Sequence, residues 1–218
     1  MGKEVLKASG VKEEGITLYV SKLNHLLERF VRQETPHHES VRTARTLFEY
    51  LWKEKPIRYQ SHGSFRLNEV IDSQLSESSQ AVGNCLGLTL LYNCLLQRMG
   101  IRAEALYLEE AFGVRPHVLT VLPIKGFLVY VENILSSGFD YKGHQNKQGI
   151  RWGDKEQVAD IYHSLGNEFL NKGELNKALG NYNIAIHLNP NYENAHLNRA
   201  ILLDKMESEK KGEYHREE

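Results

Sequence analysis

At 218 residues, the chain is long enough for one full domain and a smaller second one. Its hydrophobic content of 41% and charged content of 25% are typical of a soluble globular protein. The formal net charge of −1 gives no electrostatic reason to expect a nucleic acid or an acidic membrane as a partner, and no apolar run approaches the roughly 20 residues of a membrane-spanning helix.

The N-terminal half of the chain is predicted to be helical. The first stretch, 1–15, is mostly polar, and we expect it to be frayed. Three stretches then carry apolar residues at helical spacing. Pro36 separates the first two of them, Pro56 ends the second, and a serine-rich loop over 73–80 follows the third. The three predicted helices cover residues 16–30, 41–52 and 67–71.

A fourth predicted helix, 85–99, carries apolar residues around most of its circumference, which places it inside a domain. Asn84 is a suitable N-cap, so Cys85 takes the first helical position. Unpaired backbone N–H groups and the positive end of the helix dipole favour a thiolate there. Cys85 is therefore a candidate nucleophile, and a small buried hydrophobe is the alternative interpretation of the same position.

The chain contains two cysteines, Cys85 and Cys94, which both lie on this fourth helix. Their separation turns the helix by about 900° and spans about 13.5 Å along its axis, so the two side chains face opposite sides. They cannot form a disulfide with each other. The chain opens on Met-Gly-Lys-Glu, without an apolar signal core. We therefore expect a reducing, cytoplasmic location.

The pattern changes after the fourth helix, where β-branched and aromatic residues predict strands at 103–108, 117–122 and 127–133. The last two of these flank a compact Pro-Ile-Lys-Gly turn, so they are predicted to form a hairpin. The sequence therefore predicts a small antiparallel sheet after the helical half.

The register of this hairpin decides which residue faces His117. A four-residue loop and one of the two-residue loops both place Glu132 directly opposite His117. A three-residue loop would bring Asn133 opposite instead, and a turn at Lys125-Gly126 would bring Ile134. Because two of the plausible loops agree, we expect the pairing with Glu132.

These features together resemble a known family. Gly83-Asn84-Cys85 opens an apolar helix, a histidine starts a later strand, and an acid ends the next one. This order resembles the transglutaminase-like branch of the papain-like superfamily, and the leader 65–71 is similar to that of bacterial transglutaminase-core proteins with a tetratricopeptide tail. The resemblance implies an α+β fold, in which a helical N-terminal half with a buried Cys-bearing helix packs on a small antiparallel sheet.

The resemblance also implies a catalytic triad of Cys85, His117 and Glu132. The cysteine would attack an acyl carbon, the histidine would accept and return a proton, and the acid would orient the imidazole. The family carries aspartate where this chain has Glu132, and the papain branch uses asparagine, so Asn133 is an alternative third member. The backbone N–H of Cys85 would stabilise the oxyanion, and Gln80 is the side chain available as a second donor. Amide or peptide hydrolysis and transamidation are both open, and neither needs a cofactor or a metal.

The composition shifts again after Gly138, where a stretch rich in glycine and amides, 138–155, is the predicted domain boundary. Beyond it, eight residues match the tetratricopeptide pattern, which repeats about every 34 residues. A partial second repeat begins at Glu193 and gives way to a charged tail, 207–218, which we expect to be a solvated or frayed face. The sequence therefore predicts a transglutaminase-like domain at 1–150 and a tetratricopeptide domain at 157–218. The eight matching residues are Tyr162, Leu165, Gly166, Phe169, Ala178, Tyr182, Ala185 and Pro190.

Two functions are consistent with these patterns. One is a cysteine-dependent acyl-transfer enzyme or hydrolase that acts on a protein or peptide. The other is a catalytically inactive interaction or regulatory protein that uses the repeat for protein binding, or pairs with a second copy through it. His163 and Asn167 lie one turn apart on the expected inner face of the repeat, although a single short groove buries little area and favours a structural role. The sequence His37-His38 lies in a Pro-bearing loop without a matching ligand pair, so no zinc site is expected there.

Overall fold

A computed structural model of the protein describes residues 1–34, 39–113, 116–144 and 148–214. These residues fall into two compact units, Met1–Asp154 and Lys155–Glu218. The pair His37-His38, where the sequence predicted no zinc site, lies outside the described residues. The last four residues of the charged tail also lie outside them. Within the described part of the chain, no helix combines the length and the apolar character needed to cross a membrane.

The helices of the first unit confirm the predicted helical half and extend it. Each of the four predicted helices is present, and each amphipathic one buries the face that carries its apolar repeat. The third predicted helix runs on into what we predicted to be the serine-rich loop. The helices described in this unit are α1 (Gly2–Ala8), α2 (Glu13–Gln33), α3 (Ser40–Glu54), α4 (Leu67–Leu75) and α5 (Cys85–Arg98).

The expectation that the N-terminal stretch is frayed is wrong. Helix α1 buries Val5 and Leu6 completely, and it contacts α2 and α4. The hydroxyl of Ser9 donates to the carbonyl of Val5 at 2.8 Å and accepts the backbone N–H of Leu67 at 3.0 Å, which ties the end of α1 to the start of α4. A seven-residue helix is too short to display a period, and its stability comes from this packing.

The sheet of the first unit is antiparallel and has the strand order β3-β2-β1-β4. Its last strand falls inside the stretch that we predicted to be only a boundary. This strand pairs with β1, and the rings of Tyr107 and Trp152 stack with centroids 4.2 Å apart. Three residues are too few to show alternation, so the sequence did not reveal it. The strands are β1 (Glu104–Leu108), β2 (His117–Ile124), β3 (Phe127–Val131) and β4 (Ile150–Trp152).

The register that we preferred for the hairpin is also wrong. Ile124 pairs with Phe127, and the turn between them is Lys125-Gly126, the alternative that brings Ile134 rather than Glu132 opposite the start of β2. Both turn residues have positive φ angles, 49° and 83°. A turn of this kind matches the right-handed twist of the strands, and its second residue is most easily glycine.

Helix α5 is the centre of the first unit. It contacts α4 and β2, and the hydroxyl of Thr89 donates to the carbonyl of Val118 at 3.3 Å. Twelve of its residues, from Cys85 to Leu96, are buried. The helix therefore has protein on nearly every side, as its apolar circumference predicted.

The second unit consists of three helices in the described residues, α6 (Asp154–Asn171), α7 (Leu175–Leu188) and α8 (Glu193–Tyr214). Ala178, Tyr182 and Leu202 form its buried core. Helix α8 continues well into the charged segment that we predicted to be frayed. The charged segment can continue the helix because each added residue gains a backbone hydrogen bond once the first turns are packed.

The groove predicted around His163 and Asn167 is occupied by the unit's own side chains. The imidazole of His163 lies 3.0 Å from the hydroxyl of Tyr192 and 3.0 Å from the amide of Asn198. Asn167 accepts hydrogen bonds from Tyr182 at 2.7 Å and from Asn198 at 2.8 Å. These contacts support the structural role that the sequence favoured over peptide binding.

Gly166 offers a direct test of this packing. A Cβ atom at this position would lie 2.4 Å from the buried ring of Tyr182, so we expect Gly166→Ala to lower the free energy of unfolding of the second unit by about 1–3 kcal/mol. Hydrogen exchange of the α6 and α7 amides measures this loss. Gly180→Ala is the matched control, because a Cβ there meets nothing within 4 Å and should stabilise α7 by about 0.5–1 kcal/mol. Equal protection in the two variants would contradict the packing argument.

Candidate active site

Cys85 is placed by the turn that starts α5. Asn84 has the extended backbone of an N-cap, and its side-chain oxygen accepts the N–H of Gly87 at 3.0 Å. The backbone N–H of Asn84 donates to the carbonyl of Ser64 at 3.1 Å. A Cβ at Gly87 would lie 2.4 Å from that same carbonyl oxygen, so only glycine allows this close approach. Cys85 lies at the margin of the hydrophobic core, and the residue is 9% exposed.

His117 and Glu132 meet beside this helix, and both are fully buried. Nε2 of His117 lies 2.9 Å from Oε2 of Glu132. The contact exists although the ladder ends at Val131 and its register would carry Ile134 to the position opposite His117. Glu132 is then a diagonal neighbour, and diagonal neighbours in a hairpin are within reach of a long side chain. The extra methylene of glutamate relative to aspartate contributes to that reach.

A tight loop after β3 holds the backbone of Glu132. Its N–H donates to the carbonyl of Gly138 at 2.9 Å, and the N–H of Gly138 donates to the carbonyl of Leu135 at 3.0 Å. A Cβ at Gly138 would lie 2.0 Å from the carbonyl oxygen of Glu132. This loop therefore closes only with glycine, and it turns the carboxylate toward β2.

Asn133, the alternative third member, faces another group. Its amide nitrogen donates to the hydroxyls of Thr89 at 3.1 Å and Thr120 at 2.9 Å. Thr120 in turn donates to the side chain of Asn93 at 2.7 Å. Of the two residues that the sequence left open, Glu132 is the one that contacts His117.

The structure adds a second histidine that sequence reasoning missed. Nε2 of His144 lies 3.0 Å from Oε2 of Glu132, the same oxygen that contacts His117, and His144 is only 3% exposed. The ring of Phe112 stands edge-on to both imidazoles, at 5.8 Å from that of His117 and 5.0 Å from that of His144. His144 lies in the glycine-rich stretch that we predicted to be a boundary, and no periodicity or spacing there distinguishes it from a loop histidine.

The cluster shifts the protonation of both of its central groups. Burial alone would lower the pKa of His117, but hydrogen bonds and charge attraction to Cys85 and Glu132 raise it to about 9. Burial would raise the pKa of Glu132, but the hydrogen bonds and charges of His117 and His144 hold it below its ordinary value. Near neutral pH, the carboxylate of Glu132 is therefore ionised and the ring of His117 is a positively charged imidazolium.

Cys85 lies close enough to His117 for a side-chain hydrogen bond to act on that pKa. In the part of the chain that the structure describes, Nδ1 of His117 nevertheless has no well-aligned hydrogen-bond partner. Catalytic hydrogen bonds are often long or poorly aligned before a substrate binds. Since Nε2 is taken by Glu132, Nδ1 is the nitrogen available to the thiol.

The three side chains His117, Glu132 and His144 also have the donor types of a zinc site. Their ligand atoms lie within 4.8 Å of one another, and all three are buried. However, both Nε2 atoms lie at hydrogen-bond distance from one carboxylate oxygen. Among the described residues, neither Nδ1 has the hydrogen-bond partner that usually orients a metal-bound histidine. A proton-sharing cluster fits this geometry better than a metal centre.

Two further residues lie near the start of α5. Gln80, the side chain that the sequence offered as an oxyanion donor, is exposed in the loop before α5. Tyr59 was not predicted, yet it forms a bridge with Gly83, and burial together with the charges of Cys85 and Glu132 raises its pKa. It therefore lies beside the cluster.

The other cysteine of the chain is not part of this cluster. Cys94 is 2% exposed, and burial raises the pKa of its thiol to about 12. Both cysteines are free, as the helix geometry predicted. Cys94 is a core residue and an internal reference for the reactivity of Cys85.

Comparison with known sequences concerns the second unit. Residues 166–206 match the family described as TPR repeat. The match confirms the predicted tetratricopeptide pattern over these residues, which include Gly166 and Tyr182. The TPR repeat covers less than a fifth of the chain and includes none of the residues around Cys85. No curated protein and no solved structure matches the chain.

Proposed function

We propose that the first unit is a transglutaminase-like cysteine enzyme that transfers or hydrolyses acyl groups of amides and peptides. The nucleophile is Cys85, the proton carrier is His117, and Glu132 orients the imidazole. The observation that carries this proposal is the buried 2.9 Å contact between His117 and Glu132, beside a cysteine at the start of α5. Three separate elements bring these side chains together, as the family resemblance implies.

The charge state of the cluster suits the first chemical step. A protonated imidazole beside a cysteine sulfur is the arrangement in which cysteine enzymes hold a reactive thiolate. The sulfur of Cys85 attacks the acyl carbon, and the carbonyl electron pair moves onto oxygen. The backbone N–H of Cys85, at the start of α5, has no intrahelical acceptor and is the donor that stabilises the negative charge on this oxygen.

Collapse of this intermediate breaks the carbon–nitrogen bond, and His117 gives its proton to the departing amine. A water molecule or a second amine then loses a proton to His117 and attacks the thioester. The carbon–sulfur bond breaks, and Cys85 is regenerated. Throughout, the negative charge of Glu132 stabilises the imidazolium and holds Nδ1 toward the sulfur.

Alkylation by iodoacetamide at pH 7 tests the proposal without a known substrate. We expect Cys85 to react at least about 100-fold faster than Cys94, because a nearby imidazolium activates the first thiol and burial keeps the second protonated. Mass spectrometry of tryptic peptides measures the two rates in one sample. Cys85→Ala is the control that identifies the fast site. Equal and slow labelling of both cysteines would contradict the proposal.

The choice between hydrolysis and transfer has its own readout. A glutamine-containing peptide, incubated with the protein and a labelled primary amine, releases ammonia in either reaction. Incorporation of the amine identifies transfer, and release of ammonia without incorporation identifies hydrolysis. Cys85→Ala must abolish both signals.

The second candidate function is protein binding through the TPR repeat, which the family match favours. In that case, the proteins that co-purify with the full chain should be the same for the wild type and Cys85→Ala. Gly166→Ala, which disturbs the core of the repeat, should remove them. The opposite pattern, loss with Cys85→Ala alone, would favour the enzyme.

A further inference from the structure

His144 has no counterpart in the triad, yet it is buried against the triad's carboxylate. Oε2 of Glu132 accepts hydrogen bonds from Nε2 of His117 at 2.9 Å and from Nε2 of His144 at 3.0 Å. Among the described residues, the other oxygen of Glu132 has one long contact, 3.5 Å, with the N–H of Ile134. The orientation of the carboxylate therefore depends on the two imidazoles together.

We infer that His144 is a positioning residue, which holds the carboxylate of Glu132 in the orientation that serves His117. This inference rests on the proposed function of Cys85, His117 and Glu132. His144 acts through Glu132 and is not itself a catalytic residue, since its ring centroid lies 6.0 Å from that of His117 and its polar contact is with the carboxylate.

Burying a carboxylate carries a large free-energy cost. Glu132 is fully buried, and a buried charge needs hydrogen bonds from more than one donor to offset its lost hydration. His117 alone must also turn its other nitrogen toward Cys85. His144 is a second donor whose other nitrogen has no partner among the described residues. It therefore allows the carboxylate to remain charged while His117 keeps its orientation toward Cys85.

The surroundings fix the ring of His144. Phe112 and Tyr141 both stand edge-on to it with centroids 5.0 Å away. Its Nδ1 is buried and has no hydrogen-bond partner among the described residues. The ring is therefore held by aromatic edges on its sides and by Glu132 at Nε2, which leaves the contact with the carboxylate as its only described polar role.

The shared carboxylate also fixes which nitrogen of each ring donates to it. A carboxylate only accepts hydrogen bonds, so both Nε2 atoms carry protons. For His117 this leaves Nδ1 toward the thiol, as the proposed reaction requires. The titratable groups that face this arrangement are His117, His144, Cys85 behind His117, and Tyr59, whose pKa responds to Cys85 and Glu132.

The test compares His144→Ala with His144→Gln, because glutamine can donate an N–H over a similar reach and alanine cannot. We expect His144→Ala to slow alkylation of Cys85 at pH 7 by about 10- to 100-fold, the usual effect of removing a supporting hydrogen bond. His144→Gln should stay within about threefold of the wild type. An unchanged rate in folded His144→Ala would overturn the inference.

A second readout does not depend on reactivity. NMR titration of the His117 ring follows its protonation midpoint, which we expect to fall toward the ordinary histidine value in His144→Ala and to recover in His144→Gln. An unchanged or higher midpoint in the alanine variant would also overturn the inference. If wild-type Cys85 proves no faster than Cys94, the proposed function fails, and the titration still decides whether His144 positions Glu132.

A metal ion bound by the same three side chains would give a different result. In that case, adding a strong chelator to the wild-type protein would reproduce the effect of His144→Ala, and adding zinc would restore the wild-type alkylation rate and His117 titration. This outcome would replace the positioning role by a metal site. We expect instead that chelation leaves the alkylation rate and the His117 titration unchanged.

Discussion

Glu132→Gln is expected to lower the rate of Cys85 alkylation at pH 7, and of any acyl transfer, by roughly 10²- to 10⁴-fold. The amide removes the charge that holds the pKa of His117 near 9, and only its neutral carbonyl oxygen can accept the proton of the imidazole Nε2. The ring of His117 then loses its charge partner, and its orientation depends on one weaker, neutral acceptor. Alkylation reactions quenched at a series of times and analysed by peptide mass spectrometry measure the rate at Cys85, with Cys94 as the internal reference in every sample.

Asn133→Ala is the matched control, since Asn133 is the neighbour that the sequence could not distinguish from Glu132. Its amide bonds Thr89 and Thr120 rather than His117, so its loss should cost about 1–3 kcal/mol of the free energy of unfolding. The alkylation rate of the folded protein should stay within about threefold of the wild type. If Asn133→Ala instead removed the reactivity and Glu132→Gln preserved it, the assignment of the third residue would be reversed.

The stability of the protein is expected to depend on pH through His117. The pKa of His117 is raised from 6.5 in the unfolded chain to about 9 in the folded one, so the folded state binds the proton more tightly. The resulting stabilisation is fully present below pH 6.5 and is lost as the pH rises through about 9. It corresponds to about 3 kcal/mol, because one pKa unit is worth about 1.4 kcal/mol.

Urea unfolding at a series of pH values between 6 and 10 measures this loss. His117→Gln is the comparison, because it keeps a side chain able to donate to Glu132 and removes the titration. The variant should be less stable than the wild type at pH 6, and the difference should shrink toward pH 9. A difference that stays constant over this range would contradict the raised pKa. Glu132 acts in the opposite range, since its lowered pKa contributes stability above the unfolded value of 4.5 that is lost in acid.

Several features could be predicted because a local pattern carries them. The amphipathic helices α2 and α3 follow from apolar spacing, and the start of α5 follows from Asn84, whose side chain caps Gly87. The TPR repeat follows from small and aromatic residues at fixed separations, of which Gly166 against Tyr182 is the clearest pair. Each of these signals is confined to one helix or one repeat.

Other features could not be predicted because they depend on contacts between distant parts of the chain. Helix α1 and strand β4 are too short to show a period, and they form because α4 and β1 offer partners. The hairpin register depended on which of several similar turns closed. The hairpin closes at Lys125-Gly126, where both residues have positive φ angles that match the twist of the strands. The predicted direct pairing of His117 with Glu132 was therefore wrong.

The sequence by itself determined the helices, the capped cysteine at the start of α5, the strands of the hairpin and the repeat, because each has a period or a spacing of its own. Only the tertiary structure decided that Glu132 rather than Asn133 reaches His117, and that His144 reaches the same carboxylate. The physical reason is that a loop closed by Gly138 and a histidine beyond it set these contacts. Distances between side chains on different loops leave no periodic trace in the order of the residues.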